Sequence, residues 1–271
     1  MKLCRFQLLE SGGRSSGRTQ GEAYAASHAG ILEGDVIREI SGEIWGERKP
    51  TGRQWRVREI KFMPPTWPTK IICMARNYLD HAAEMNIEAP KQPVIFSKPP
   101  SAIIAAEDQI MMPRISKRVD YEGELAFIIG RRCSRPRPGD DIRAYIAGYT
   151  CLNDVTARDL QRLDGQYTRG KGFDTFCPFG PIVETEPPSA DTTIETFVNG
   201  AKKQGARVSD MVFGIDVIFR WIAEAMTFEP GDLVATGTPA GVGPLAAGDV
   251  VEVRVGGIGT LRNTVVGPPA E

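Results

Sequence analysis

The sequence predicts a mostly β protein of the α+β class, built in two parts. Three observations carry that expectation. Short runs of alternating or wholly apolar residues recur along the chain, bounded by Gly, Pro and Asp turns. Only one long stretch, SDMVFGIDVIFRWIAEAM, keeps helical spacing, with Met211, Ile215, Ile218, Phe219 and Ile222 on one face. Pro64, Pro65 and Pro68 make KFMPPTWPTK read as a linker, and the texture changes beyond it.

Each element follows from local chemistry. In the first part, MKLCRFQLL and GDVIREISG read as strands and LEGDV as the turn before the second. SGGRSSGRTQGEAYAASHAG reads as a loop rich in Gly and Ser. A small β-rich domain over residues 1–65 and a larger one over 66–271 are expected. In the second part, KIICMARN is a buried strand and YLDHAAEMN a helix. PVIFSKPPSAII, DYEGELAFIIG and YIAGYTCLND are strands, and TARDLQRLD is a short helix. PGDLVATGTPAGVGPLAAGDVVEVRVGGIGTL supplies several strands started by Gly-Asp turns.

Composition narrows the function. The 271 residues are 41% hydrophobic and 25% charged, with 33 Lys plus Arg against 34 Asp plus Glu. A basic excess, which nucleic-acid or membrane-surface binding favours, is missing. A small-molecule site is the better expectation. The five cysteines are odd in number and form no CxxC pair, so neither a disulfide framework nor a zinc ribbon is expected. MKLCRFQLLESGG lacks a long apolar core and a signal-type cleavage site. No run approaches the roughly 18 apolar residues of a membrane span. These features predict a cytoplasmic protein.

The stretch VDYEGELAFIIG holds the first chemical signal. Side chains alternate along a strand, with same-face neighbours roughly 7 Å apart. Asp120, Glu122 and Glu124 therefore share a face that Ala126 and Ile128 continue. The other face carries Tyr121, Leu125, Phe127 and Ile129. Carboxylates this close to an apolar core need water or a cation. An exposed strand end is one reading; a hard divalent ion with oxygen ligands is the other.

A third oxygen ligand is available in CLNDVTARDLQ, where Asp154 leaves a strand. The alternative is that Asp154 caps the turn. Thr156 fits a helix N-cap with Asp159 as its capping-box partner, and Arg158 and Gln161 point the same way from the new helix. Lys171, between two glycines in RGKGFDTFCPFGP, is either a solvated loop residue or a point charge aimed at a substrate carboxylate. His81 and Glu84 stand at i, i+3 of a helix, an ordinary surface pair or a general base with its orienting carboxylate. HAAE is not HExxH, which excludes a zincin. His28 falls in the N-terminal loop. The Gly-rich ATGTPAGVGPLAAGD is followed by neither Lys-Ser nor a helix, which excludes P-loop and Rossmann readings and leaves Thr236 and Thr238 as hydroxyl donors.

KIICMARNYLDHAAEMN, PVIFSKPPSAI, VDYEGELAFIIG, AGYTCLNDVTARDLQ, RGKGFDTFCPFGP, VNG, GDLVATGTPAGVG and GIGTLRNTV occur in this order. Together they resemble the fumarylacetoacetate hydrolase family, over about residues 66–266. The resemblance implies a mixed β-sandwich roll, a homodimer and a bound Mg²⁺ or Mn²⁺. It implies Glu122, Glu124 and Asp154 as metal ligands, with Asp120 a neighbour. Arg158, Gln161, Lys171 and Thr238 would hold a 2-oxo acid, with Arg76 and Asn77 beside them. His81 and Glu84 match the family's hydrolytic dyad on a lid helix. Met74-Ala75-Arg76 stands where many members have Val-Gly-Arg or Val-Gly-Leu, which resembles the acylpyruvase and oxaloacetate decarboxylase branch.

The activity so implied is hydrolysis of a 2,4-dioxo acid to pyruvate and a carboxylic acid through an enolate that metal and Lys171 stabilise. Oxaloacetate decarboxylation or tautomerisation and isomerisation of 2-hydroxy-dienoic diacids reach the same enolate. A non-catalytic binding module would be expected to lose the acids or the lysine, and Glu122, Glu124, Asp154 and Lys171 are all present. Residues 86–92, NIEAPKQ, are expected to contact the distal acyl end.

Overall fold

The computed structural model describes residues 1–9, 20–84 and 90–268. The described residues are mostly β, arranged in three sheets. A 12-stranded sheet runs through the whole molecule, and sheets of five and three strands accompany it.

The N-terminal strand Lys2–Leu8 explains why the large sheet is continuous. It pairs with His28–Glu33 and Ile60–Met63, and also with Cys177–Glu184 of the second part. Of the expected loop, residues 11–19 lie outside the described residues, and 20–30 are not a loop. They form a helix, Gln20–Ala25, and the strand His28–Glu33. Ala29 drops into the core and Phe6 pairs with His28, so tertiary packing overrides the loop-like composition. The proline-rich break also differs from the expected linker. Its start is a sheet strand, and Pro64, Pro65 and Pro68 are buried. Thr69 and Lys70 then donate from their backbone to the buried Asp232 carboxylate, which pins the chain as it enters the strand Ile71–Ala75.

The strand Gly123–Ile129 is the spine of the second part, and every residue in it is buried. It pairs antiparallel with Ile146–Asn153 and with Leu233–Ala235. The strand Ile71–Ala75 lies parallel to Leu233–Ala235, and Val94–Lys98 closes that edge. The expected alternation holds across two separate cores. Leu125, Phe127 and Ile129 pack into one cluster with Val253, Val255 and Leu261 of the five-stranded sheet and with Ile218, Phe219 and Ile222. Ala126 and Ile128 pack into another with Leu3, Cys73, Leu152 and Phe179.

The long helical pattern becomes Ile215–Ala225. Gly214 caps it, and Met211 ahead of it bridges to Tyr78 instead of joining the helix. All five cysteines are buried and unpaired. Among the described residues, no helix is long and apolar enough to cross a membrane.

Candidate metal and oxo-acid site

The site forms where three segments meet at the end of the buried spine. Glu122 lies between the strands Val119–Tyr121 and Gly123–Ile129. Its N–H donates to Asn153 Oδ1 at 2.9 Å, and its carbonyl accepts from the Asp154 N–H at 2.8 Å. That pairing places Asp154 beside the two glutamates. Gly123 permits it: a Cβ there would stand 2.0 Å from Thr196 Oγ1 of the facing sheet. Any larger residue between the glutamates would push the strand off that sheet.

Glu122, Glu124 and Asp154 each offer an oxygen within 4.8 Å of the others, and all three are buried. This is the arrangement of hard oxygen donors that suits Mg²⁺ or Mn²⁺. The fit is supported by an orphaned atom. Glu124 Oε2 accepts from the Gly237 N–H at 2.6 Å, whereas Oε1 is buried and has no hydrogen-bond partner. Gly237 adopts φ 97°, and a Cβ on it would stand 2.7 Å from Asn77 Cβ, so glycine alone lets this amide approach. Burial, reinforced by the Asp154 carboxylate, holds the Glu124 carboxyl well above the usual carboxylate range.

Buried cations answer the other acids. Lys171 Nζ donates to Glu122 Oε2 at 2.6 Å and to Asp154 Oδ2 at 2.5 Å. Burial alone would depress its pKa; Asp154 and Glu122 reverse that and hold the ammonium firmly protonated. Arg158 forms a charge-assisted bond to Glu122, donates to Asp120 Oδ2 at 2.9 Å and to Gln161 Oε1 at 2.7 Å. Lys98 Nζ donates to Asp154 Oδ1 at 2.5 Å and to the Val155 carbonyl at 3.1 Å.

Arg158 and Gln161 do sit one turn apart on a helix, Arg158–Asp164, but the expected cap is absent. Thr156 belongs to the strand Thr156–Ala157 and donates to the Asp154 carbonyl, while Asp159 accepts from Ser116 and the Lys117 N–H. Pairing with Val119–Tyr121 through the residue before the helix takes the place of the capping box.

A cavity of about 270 Å³ opens beside the acids. Arg76, Glu122, Arg158, Gln161, Lys171 and Thr238 line it, along with Met74, Phe96, Arg162 and Tyr167. The Phe96 and Tyr167 rings stack at 4.6 Å between centroids. Thr238 donates its hydroxyl to the Gly123 carbonyl at 2.9 Å and accepts from Gln204, so its backbone N–H is the donor left for a ligand. Asn77 is not part of the wall. Its side chain is fully buried and bonded to Phe213 and to the Thr236 carbonyl, where it braces the backbone under the cavity. Thr236 likewise donates to the Leu125 carbonyl.

His81 and Glu84 lie on one short helix, Leu79–Glu84. Glu84 accepts from the Gly241 N–H at 3.2–3.3 Å, which ties the helix to the Gly-rich loop. The side chain of His81 and residues 85–89, including most of NIEAPKQ, lie outside the described residues. Lys98 is the main residue that the sequence reasoning missed. A lysine in the otherwise apolar PVIFSKPP is the signal that would have found it.

The family described as "Fumarylacetoacetate (FAA) hydrolase C-terminal" matches residues 70–266. The chain belongs to the fumarylacetoacetate hydrolase family. Residues 1–65 match a second family, described as "Rv2993c-like, N-terminal". Human oxaloacetate tautomerase FAHD2B, mitochondrial, is 41% identical over 221 residues, covering 77% of this chain and 70% of that protein. The crystal structure of 2-hydroxyhepta-2,4-diene-1,7-dioate isomerase from Mycobacterium marinum superposes with a TM-score of 0.86 at 39% identity, covering 100% of both chains. Maleylpyruvate hydrolase from Sphingobium sp. SYK-6, crystallised with manganese(II) and pyruvate, gives 0.77 at 26% identity, over 99% of this chain and 100% of that one. The family thus joins isomerases, tautomerases and hydrolases on one fold.

Two outcomes test this electrostatic arrangement. Lys98→Met leaves Asp154 without one of its two buried cations and should cost about 3–5 kcal/mol in urea unfolding. Adding Asp154→Asn should recover much of that loss; strict additivity of the two changes would contradict the pairing. Burial and the Asp154 carboxylate favour the protonated form of Glu124, and a carboxylate that ligates a metal must be ionised. Mg²⁺ titrated calorimetrically near neutral pH should therefore release protons, giving heats that depend on the buffer's ionisation enthalpy. Affinity should rise with pH, and equal heats in all buffers would contradict the assignment.

Proposed function

We propose that the protein is a divalent-metal-dependent hydrolase that cleaves the C–C bond of a 2,4-dioxo acid to give pyruvate and a carboxylic acid. The observation that carries this reading is the buried Glu122, Glu124 and Asp154 triad with Lys171 bonded to two of its members beside a small cationic cavity. When bound, Mg²⁺ or Mn²⁺ supplies Lewis acidity that favours an enolate.

The chain's own groups do the rest. Arg158, Gln161 and the Thr238 N–H bind and orient the oxo acid's carboxylate at the cavity wall. The Lys171 ammonium stabilises the negative charge that develops on the 2-oxo oxygen, the type of fixed charge that contributes most in a water-poor site. Phe96 and Tyr167 limit the space and exclude bulk water. His81, oriented by Glu84 on their shared helix, removes a proton from water, and the resulting hydroxide attacks the distal carbonyl. The electrons of the broken C–C bond pass to the pyruvate fragment, which is then protonated.

A second reading, oxaloacetate tautomerisation or decarboxylation, is favoured by the similarity to human oxaloacetate tautomerase FAHD2B. It uses the same carboxylate-binding and enolate-stabilising groups without attack by water. The two readings separate in one experiment. Fumarylpyruvate, acetylpyruvate and oxaloacetate are assayed with Mg²⁺ in the wild type, Lys171→Met and His81→Ala. Lys171→Met should lower every turnover by 10²–10³-fold or more, since a fixed charge on the developing oxyanion is worth about that much. His81→Ala should abolish hydrolysis and spare tautomerisation. Full activity in Lys171→Met, or no pyruvate from any dioxo acid, would refute the hydrolase.

A further inference from the structure

We infer that Gln204, on a hairpin of the five-stranded sheet, is a positioning residue that joins the two halves of the site. One half is the backbone between the ligand glutamates; the other is the loop that offers the Thr238 N–H. The inference rests on the metal-dependent oxo-acid reading above and adds a residue that touches neither metal nor substrate.

Gln204 breaks the pattern of its strand. Ala201–Arg207 is an edge strand of the five-stranded sheet, and Gln204 is the one buried residue in it. An amide taken out of water costs free energy unless its polar atoms are bonded. Here all are. The Gly123 N–H donates to Gln204 Oε1 at 3.0 Å, and Gln204 Nε2 donates to Thr238 Oγ1 and to the Pro239 carbonyl, both at 2.8 Å. A backbone N–H only donates and a carbonyl only accepts, so the amide has a single orientation.

The three bonds converge on the two segments that build the site. Gly123 separates Glu122 from Glu124, and Thr238 returns its hydroxyl to the Gly123 carbonyl at 2.9 Å. Gln204 and Thr238 thus hold both backbone groups of Gly123. The loop needs such a tether. Residues 236–239 belong to no strand, and Gly237 and Gly241 beside them adopt φ 97° and 96°. Glycine leaves that backbone many directions; the bonds from Gln204 select one.

The hairpin is shaped to carry this residue. Thr196 pairs with Gln204 across the hairpin, and opposed residues share a face. Thr196 Oγ1 occupies the space where a Gly123 side chain would lie, so this face rests on the ligand backbone. A Cβ on Gly241 would collide with the Lys203 carbonyl, so the far end of the loop rests on the same strand. The Gly241 N–H in turn reaches Glu84 on the helix of His81.

Two variants separate the two halves. Gln204→Met keeps the length and removes all three bonds. Gln204→Glu keeps an acceptor for Gly123 but, in either charge state, leaves at least one loop acceptor without a donor. Mn²⁺ is titrated calorimetrically into each protein, and pyruvate into each Mn²⁺-loaded protein. Gln204→Met should weaken Mn²⁺ binding about tenfold, as loss of an outer support does, and pyruvate binding by a similar factor. Gln204→Glu should return Mn²⁺ affinity to within about threefold of wild type while pyruvate stays about fivefold or more weaker. Thr196→Val, on the same face but not bonded to the loop, should leave both affinities unchanged even where it lowers the urea midpoint. Unchanged affinities in Gln204→Met, or equal losses in Thr196→Val, would overturn the role of Gln204. Should the methionine variant not fold, wild-type pyruvate affinity in Gln204→Glu would do the same. If the wild type takes up Mn²⁺ but no pyruvate, the oxo-acid reading falls, and Gln204 stands or falls on the Mn²⁺ affinity of Gln204→Met. If it takes up no Mn²⁺, the metal reading falls and this inference with it.

Discussion

Buried charge neutralisation at the junction of three chain segments is the constraint on which this structure depends. Asp120, Glu122 and Asp154 are almost wholly removed from water, as are Lys98, Arg158 and Lys171. A carboxylate moved into the interior without a partner carries a penalty of several kcal/mol. The penalty is offset only when every cation arrives in register. Lys98 comes from one edge of the large sheet, Arg158 from the helix after Asp154, and Lys171 from the short helix Thr168–Lys171. The apolar cores on either side of Gly123–Ile129 supply the driving force that assembles these segments. The ion pairs then fix the alignment in which each of these six groups meets an opposite charge.

The balance also shapes the chemistry. Asp120, Glu122 and Asp154 face Lys98, Arg158 and Lys171, three buried acids against three buried cations. In the proposed reaction a divalent ion held by Glu122, Glu124 and Asp154 would add positive charge to this cavity. Such a site favours anions, and in that reaction Arg158, Gln161 and Thr238 of the cavity wall would receive the carboxylate. On the proposed mechanism the same groups would serve any reaction that passes through a pyruvate-type enolate. Hydrolases, isomerases and tautomerases share this fold.

Much of this was legible in the sequence. Period-two spacing alone placed Asp120, Glu122 and Glu124 on one face and Leu125, Phe127 and Ile129 on the other, because strand geometry is local. The helix of Arg158 and Gln161 and the helix of His81 and Glu84 followed from i, i+3 spacing for the same reason. What stayed hidden depended on contacts distant in sequence. Residues 28–33 form a strand only because Lys2–Leu8 lies beside them. Pro64 and Pro65 are buried because the chain before them joins the sheet. Thr156 gave up its capping role to strand pairing. Asn77 resembled a ligand-binding residue, yet its bonds to Phe213 and Thr236 become visible only after the fold brings residues some 136–159 positions away against it. Lys98 required knowing that its strand ends at Asp154.

The most direct test is an anomalous difference map from crystals of the protein soaked in Mn²⁺. The account predicts one strong peak bonded by single oxygens of Glu122, Glu124 and Asp154, with Glu124 Oε1 now coordinated. The absence of a peak among these three carboxylates, with Lys171 still bridging Glu122 and Asp154 at saturating manganese, would contradict it.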